Sequence, residues 1–283
     1  MPDPVPVPGD HAQQVAAAYS DSAEAYARLW SPVIRPMAQA LLAALPLREA
    51  ERVLDVGTGS GGLIPDIRAS TPEADIVGVD RAEGMLRIAQ AAAAASSASL
   101  ALMDAQQLGI LSDSLDVAVV AFVLFHIPNP HRALGEVSRV LRPGGMLGIA
   151  TWGPEPGFPA EAIWEEELQA QGAGPDPVSL GRQDKLMDSP ERLRGMLEGV
   201  GIQVVRSWSQ GFEHQWDAAR FFALRSSHGA CRRRLDTLEA AQRSACESRV
   251  RKRLALLAPV DFIFRPEVVF AVARKPDSQP QQG

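Results

Sequence analysis

The residues best suited to chemistry sit in one run, Val53-Leu54-Asp55-Val56-Gly57-Thr58-Gly59-Ser60-Gly61-Gly62-Leu63. Apolar Val53, Leu54 and Val56 suit a strand buried in a parallel sheet. The glycines that follow let the backbone turn sharply and let a ligand approach with no side chain in the way. Asp55 stands two residues before the first of them, giving Asp-x-Gly-x-Gly-x-Gly. Asp80 closes a second apolar run about 20 residues on, where an acid can take two ribose hydroxyls. A ligand-free turn explains the run poorly, because turns rarely need three spaced glycines.

These residues need a scaffold, and the pattern around them supplies one. Strands are predicted over residues 52–56, 75–80, 99–103, 115–122, 146–151, 202–209 and 262–273, the last kinked at Arg265-Pro266. Helices are predicted over 63–69, 82–94 and 130–141, and over 190–199 after Ser189. Asn129 caps the third of these, with Pro130 in its first turn. Strands alternating with helices imply a parallel sheet with helices on both faces. Ahead of the sheet, residues 11–45 read as two or three short helices interrupted at Ser31-Pro32 and Arg35-Pro36. Residues 160–171 form an acidic amphipathic segment, and residues 216–257 are mostly helical and rich in arginine.

Composition bounds the function. The chain has 283 residues and a net charge of −6, a poor balance for neutralising phosphate backbones, which argues against a nucleic-acid partner. No apolar run is long enough for membrane insertion. The proline-rich start lacks the basic and apolar segments of a signal peptide, so the expected localisation is cytoplasmic. Cys231 and Cys246 have no metal-ligand spacing and read as free thiols.

Two cofactor readings compete for the glycine run. Gly57, Gly59 and Gly62 also satisfy Gly-x-Gly-x-x-Gly, the fingerprint of an NAD-dependent oxidoreductase. Three further features separate the readings. Met103-Asp104-Ala105 puts an acid and a small residue after the third strand. Leu141-Arg142-Pro143-Gly144-Gly145-Met146-Leu147 forms the turn into the fifth. Val268-Val269-Phe270-Ala271-Val272-Ala273-Arg274-Lys275-Pro276 is the closing strand. With the glycine run, in this order, they resemble the class I S-adenosylmethionine-dependent methyltransferases, small-molecule type, similar to the ubiquinone/menaquinone and natural-product enzymes. The resemblance covers roughly residues 19–158 and 189–276.

The resemblance implies an α/β fold with a Rossmann-like, seven-stranded, mostly parallel sheet. Its last strand runs antiparallel between the fifth and sixth, and helices cover both faces. An N-terminal helical lid and inserted cap segments complete it. The expected organisation is a disordered tail (1–10), lid (11–50), cofactor-binding core (51–152), insertion (153–188), core continuation (189–214), helical cap (215–260), final core strand (261–276) and tail (277–283).

The implied cofactor is S-adenosylmethionine, with S-adenosylhomocysteine as product and no metal. Asp55 would lie beside the methionine amine, with Gly57, Thr58 and Gly59 along the amino-acid moiety. Asp80 would hold the ribose. Met85 would pack on the adenine, which Asp104 and Ala105 would hold, Asp104 accepting its exocyclic amine; Arg81 is a further cofactor-binding candidate. Phe122 would border the methionine end. Met85 is equally read as simple core, since methionine fills irregular gaps.

The expected reaction is methyl transfer to O or N, less readily C, of a small organic acceptor. His126, after the fourth strand, is the candidate general base; its other reading is a loop-capping histidine. His11, His131, His214 and His228 read as surface or structural. Tyr19, Tyr26 and Trp30, spaced by seven and four, fall on one helical face and could wall the acceptor with Phe125 and Trp152, or pack the helix on the sheet. Trp208, Trp216, Phe221 and Phe222 could line the opposite side or form insertion core. Arg232-Arg233-Arg234 and the cluster at 249–253 read as a solvated face, paired with Asp236, Glu239 and Glu247. An alternative function on the same fold binds the cofactor without transferring methyl and catalyses cyclisation, elimination or decarboxylation. The oligomeric state is not encoded in these features.

Overall fold

The computed structural model describes residues 8–154, 156–178 and 184–277. Nine strands are named in chain order: β1 (Arg52–Val56), β2 (Asp75–Asp80), β3 (Ser99–Leu102), β4 (Leu115–Ala121), β5 (Leu141–Trp152), β6 (Gln203–Gly211), β7 (His214–Gln215), β8 (Ile263–Phe264) and β9 (Glu267–Arg274). Seven form one sheet in the order β3-β2-β1-β4-β5-β9-β6. The first five are mutually parallel. β9 is antiparallel to both β5 and β6, with Gly148 opposite Val272 and Ser207 opposite Ala271. The reversed closing strand is the arrangement the resemblance implies. β7 and β8 pair separately. β8 is the part of the predicted last strand that precedes the Arg265-Pro266 kink, whereas the two residues of β7 are too few for a periodic signal and were missed.

Alternation along the strands divides the core between two faces, as a period of two requires. Val53, Val117 and Val119 join one buried cluster, while Leu54, Val56, Ala118 and Val120 join the other. The second cluster is covered by α6 (Pro130–Val140) and α8 (Pro190–Gly199). Both start as expected: Asn129 Oδ1 accepts from Arg132 N at 3.0 Å, and Ser189 Oγ accepts from Arg192 N at 3.3 Å. α4 (Ile64–Ser70) and α5 (Glu83–Ala95) follow β1 and β2.

The N-terminal region departs from expectation. α1 begins at Pro8, inside the segment assigned to a tail, and runs to Asp21; residues 1–7 lie outside the described residues. α2 (Ala23–Ala25) leads into a π-helical turn, Tyr26–Trp30, and then α3 (Ser31–Leu42). The break predicted at Ser31-Pro32 coincides with the start of α3, whereas the one predicted at Arg35-Pro36 does not occur. Pro32 sits in the first turn of α3, where no donor is needed, and Pro36 lies inside the helix. An internal proline costs ~3 kcal/mol. α3 buries Val33, Ile34, Met37, Ala38, Leu41 and Leu42, and each large apolar side chain contributes about 1.5–3 kcal/mol. Burial outweighs the lost hydrogen bond.

β5 also starts earlier than predicted. Leu141 already pairs with Leu115, and a register shift absorbs Arg142-Pro143-Gly144-Gly145 before Val117 meets Met146. At the far end Asp277, assigned to the tail, bonds Arg274 at 2.9 and 3.0 Å.

The two inserted segments pack together. α7 (Pro159–Ala170) lies against α10 (Gly229–Leu235) and α11 (Ala240–Leu254), with α9 (Ala218–Ser227) beside them. Trp164, Leu168, Phe221, Leu235, Cys246 and Val250 are buried between them, in a cluster continuous with one sheet face. The arginine-rich helices find their partners on α7. Arg225 bonds Glu161 at 2.6 Å, and Arg234 bonds Glu165. Arg253 reaches Glu166 at 2.6 Å and Glu167 at 2.9 Å. Of the partners predicted on the same stretch, Asp236 pairs with Arg232 and Arg243, and Glu247 with Arg251 and Arg243, while Glu239 instead forms a capping box with Gln242. Among the described residues, no helix is long and apolar enough to cross a membrane.

Candidate active site

The glycine loop leaves β1 and does not become helical until Ile64. Its first turn is tied to β2, Gly57 N and Thr58 N both donating to Val79 O at 2.8 and 3.0 Å. Gly57 has φ +71°, and a Cβ there would lie 2.5 Å from Val123 Cγ2. Conformation and space therefore both demand glycine at this position. At Gly59, φ is +55°. Its N–H points to Asp80, whose Oδ2 accepts at 2.9 Å while Oδ1 accepts from Ala82 N at 2.7 Å. Asp80 thus fixes the loop that leads to it, a role the sequence reading did not assign. Each carboxylate oxygen keeps a second lone pair for a ligand hydroxyl.

Loop and strand ends line one cavity. Gly57, Gly59, Asp80, Arg81, Met85, Asp104, Ala105 and Phe122 all line it, as does His126. Met85 is both wall and core, since it is 1% exposed. Asp104 is already engaged: Arg81 Nη1 donates to its Oδ2 at 2.9 Å, and Gln106 N to its Oδ1 at 2.9 Å. Gln106 lines the same wall and was missed.

Asp55 and Thr58 lie on an adjoining cavity, which shares Tyr26, Gly57, Ala121 and Phe122 with the first. Asp55 is 2% exposed, and its Oδ2 has no hydrogen-bond partner. Burial pushes its carboxyl up to about 6, with the Thr58 hydroxyl pulling down and the Asp80 charge adding to the rise. A buried carboxylate lacking a partner is costly and suits a cationic group. The glycine cradle, the orphaned acid and the ribose-type acid at Asp80 together fit S-adenosylmethionine.

A third cavity opens beyond Phe122. Tyr19, Tyr26, Trp30, Phe125 and Trp152, the five predicted acceptor-wall residues, all line it. They do not share one helical face. The helix breaks between Asp21 and Ala23, and Tyr26 and Trp30 lie in a separate π turn. Trp30 stacks on Trp216 at 6.4 Å and packs on Trp152 at 6.1 Å and Phe264 at 5.9 Å. Tyr19 meets Tyr26 edge-on at 5.9 Å, and its hydroxyl lies 2.8 Å from His126 Nε2. Trp216 and Phe221 are core, Phe222 packs on Trp164, and Trp208 stacks on Phe270.

Two features of this cavity were not legible. Phe122 adopts φ +56°, rare for a bulky residue, and packs on Trp152 at 4.4 Å. His228, read as surface or structural, is buried on the cavity wall, with its Nδ1 2.8 Å from Ser22 Oγ. No local signal points to it, since its partner lies 206 residues earlier.

Comparison with known proteins agrees with this geometry. The family model described as "Methyltransferase domain" matches residues 54–149. The demethylmenaquinone methyltransferase of Thermus thermophilus is 30% identical over 166 residues, covering 54% of this chain and 75% of the relative. The ubiquinone/menaquinone biosynthesis C-methyltransferase UbiE of Syntrophotalea carbinolica is 37% identical over 105 residues, covering 36% of this chain and 44% of the relative. This chain therefore spans less than half the length of that second relative. The crystal structure of the [4+2]-cyclase SpnF superposes with a TM-score of 0.53 at 19% identity, covering 86% and 81% of the two chains. The chain belongs to the class I S-adenosylmethionine-dependent methyltransferases. Within that class it is related to the ubiquinone and menaquinone methyltransferases.

Proposed function

We propose that this chain transfers the methyl group of S-adenosylmethionine to an oxygen or nitrogen, less readily a carbon, of a small organic acceptor. The observation that carries this reading is the junction of two cavities. The one built on the glycine loop and the one walled by aromatics share Tyr19, Tyr26, Phe122 and His126. A cofactor on one side and an acceptor on the other would meet there.

When bound, the cofactor supplies an activated sulfonium methyl. The residues of this chain position and desolvate. Gly57, Thr58 and Gly59 bind the amino-acid moiety, and Asp55 faces its ammonium. Asp80 takes the ribose hydroxyls, while Arg81, Met85, Asp104 and Ala105 frame the adenine. Phe122 separates the two ligands at the methionine end, and Tyr19, Tyr26, Trp30, Phe125 and Trp152 enclose the acceptor. Holding a nucleophile in line with water excluded supplies up to about 7–11 kcal/mol in ideal cases. We assign no metal, a reading supported by the absence among the described residues of any group of three or more His, Cys, Asp or Glu side chains able to hold one. We place the reaction in the cytoplasm, on an acidic small-molecule enzyme, with neither nucleic acid nor membrane as partner.

The alternative is a cofactor-binding protein of the same fold that catalyses cyclisation, elimination or decarboxylation. One experiment separates the two. The protein is incubated with trideuteromethyl-labelled S-adenosylmethionine and a metabolite extract of its host, and the products are read by mass spectrometry. A labelled small molecule with stoichiometric S-adenosylhomocysteine supports methyl transfer. Label confined to macromolecules, or a cofactor that stays intact, overturns it.

A further inference from the structure

His228 sits at the joint of α9 and α10, with its N–H donating to Leu224 O at 2.9 Å. The extended backbone there, φ −145° and ψ 155°, turns the imidazole out of both helices toward α1. Tyr19 and Tyr26 hold the ring edge-on at 5.5 and 5.2 Å. Those tyrosines also line the cofactor cavity, so His228 stands one ring from the junction.

The hydrogen bonds around it decide which ring nitrogen carries the proton. Ser22 Oγ donates its single hydrogen to Ala18 O at 2.8 Å. Towards His228 Nδ1, also at 2.8 Å, the same oxygen can only accept. Nδ1 therefore carries the hydrogen. Nε2 keeps its lone pair, and no described residue donates to it. His126 is arranged differently, since its Nε2 is already engaged by the Tyr19 hydroxyl.

We infer that His228 Nε2 is the acceptor-side base of this site, receiving the O–H or N–H of a planar aromatic methyl acceptor and taking its proton. The inference rests on the methyl-transfer reading above. The acceptor heteroatom forms its bond to the methyl carbon while the carbon–sulfur bond breaks and that electron pair returns to sulfur. The heteroatom's proton passes to Nε2 and then to solvent. Burial, with Arg233 and Arg232 nearby, keeps the imidazole neutral by lowering its pKa to about 4. A weak base suffices, because the O–H or N–H turns strongly acidic as the new bond forms. The aromatic walls, Trp30, Trp152, Phe122 and Phe125, favour a flat conjugated body over an aliphatic one.

The test uses the full chain labelled with ¹⁵N-histidine and saturated with S-adenosylhomocysteine. Long-range ¹H–¹⁵N spectra should show His228 with Nδ1 protonated and Nε2 bare, and Ser22→Ala should disturb that preference. Adding 2-naphthol should shift the Nε2 resonance, while 2-methoxynaphthalene, lacking the donor, should leave it in place. His228→Asn keeps a donor for Ser22 and lacks Nε2. It should weaken naphthol binding about five- to tenfold, as loss of one hydrogen bond does, with S-adenosylhomocysteine affinity unchanged. A protonated Nε2, an unmoved resonance with naphthol, or equal shifts from both naphthalenes would overturn the inference while leaving the methyl-transfer reading intact. Failure of the wild-type chain to bind S-adenosylhomocysteine would sink that reading itself.

Discussion

Tyr19 and His126 share a hydrogen bond of 2.8 Å that joins α1 to the loop after β4 across 107 residues of sequence. It ties the N-terminal helix α1 to the junction of the two cavities, since both residues line each of them.

Removing that hydroxyl should loosen α1 without removing its aromatic wall. Tyr19→Phe is expected to cost about 1 kcal/mol locally, roughly a fivefold faster opening of α1. Hydrogen exchange of α1 peptides, read by mass spectrometry, measures it. Exchange at the wild-type rate would show that the bond does not hold α1.

Asp80 holds the loop and is proposed to hold the ribose as well, so its two substitutions should differ. Asp80→Ala leaves Gly59 N and Ala82 N without their acceptor and should weaken S-adenosylmethionine binding at least tenfold. The lost loop contacts cost about 1–3 kcal/mol of stability. Asp80→Asn keeps one acceptor oxygen and should lose less of both. Calorimetric titration with thermal unfolding reads the pair; an unchanged titration for the alanine variant removes the ribose role.

Gly57→Ala should destabilise the chain by about 1–3 kcal/mol through its positive φ, with the Val123 contact adding to it. The expected fall in Tm is about 2–4 °C per kcal/mol. Val123→Ala in the same chain should recover only the steric part, because the backbone conformation stays strained. Full recovery would mean that space alone selects glycine there.

If Asp55 faces the cofactor's ammonium as proposed, cofactor affinity should depend on pH. Its folded pKa, about 6, stands above the ordinary carboxylate value. In the ligand-free protein its charge is therefore disfavoured, and its stabilising contribution is lost as pH rises through about 6. A facing ammonium reverses the preference. S-adenosylhomocysteine affinity should thus fall as pH drops from 7 to 5, by up to about tenfold per unit below 6 for one linked proton. Asp55→Asn should bind more weakly at pH 7 and lose most of this dependence. Titrations across that range decide it, and a flat wild-type profile would separate Asp55 from the ammonium.

Much of the site was legible because it follows local rules. Strand β1, the glycine turn and Asp80 lie within one β-α-β unit, where spacing along the chain fixes position in space. The acceptor wall was legible only as residue types. Tyr19, Tyr26 and Trp30 do face one cavity, although a helix break and a π turn, not a shared helical face, bring them there.

The sequence by itself determined the alternation of strands and helices, the glycine loop and the acids at the strand ends, since each depends on backbone conformation and burial within a few residues. Only the tertiary structure decided which arginines meet α7, why α3 runs through Pro36, and that Ser22 orients His228. Those outcomes depend on surfaces brought together from distant parts of the chain, where packing and desolvation, not local preference, set the energy.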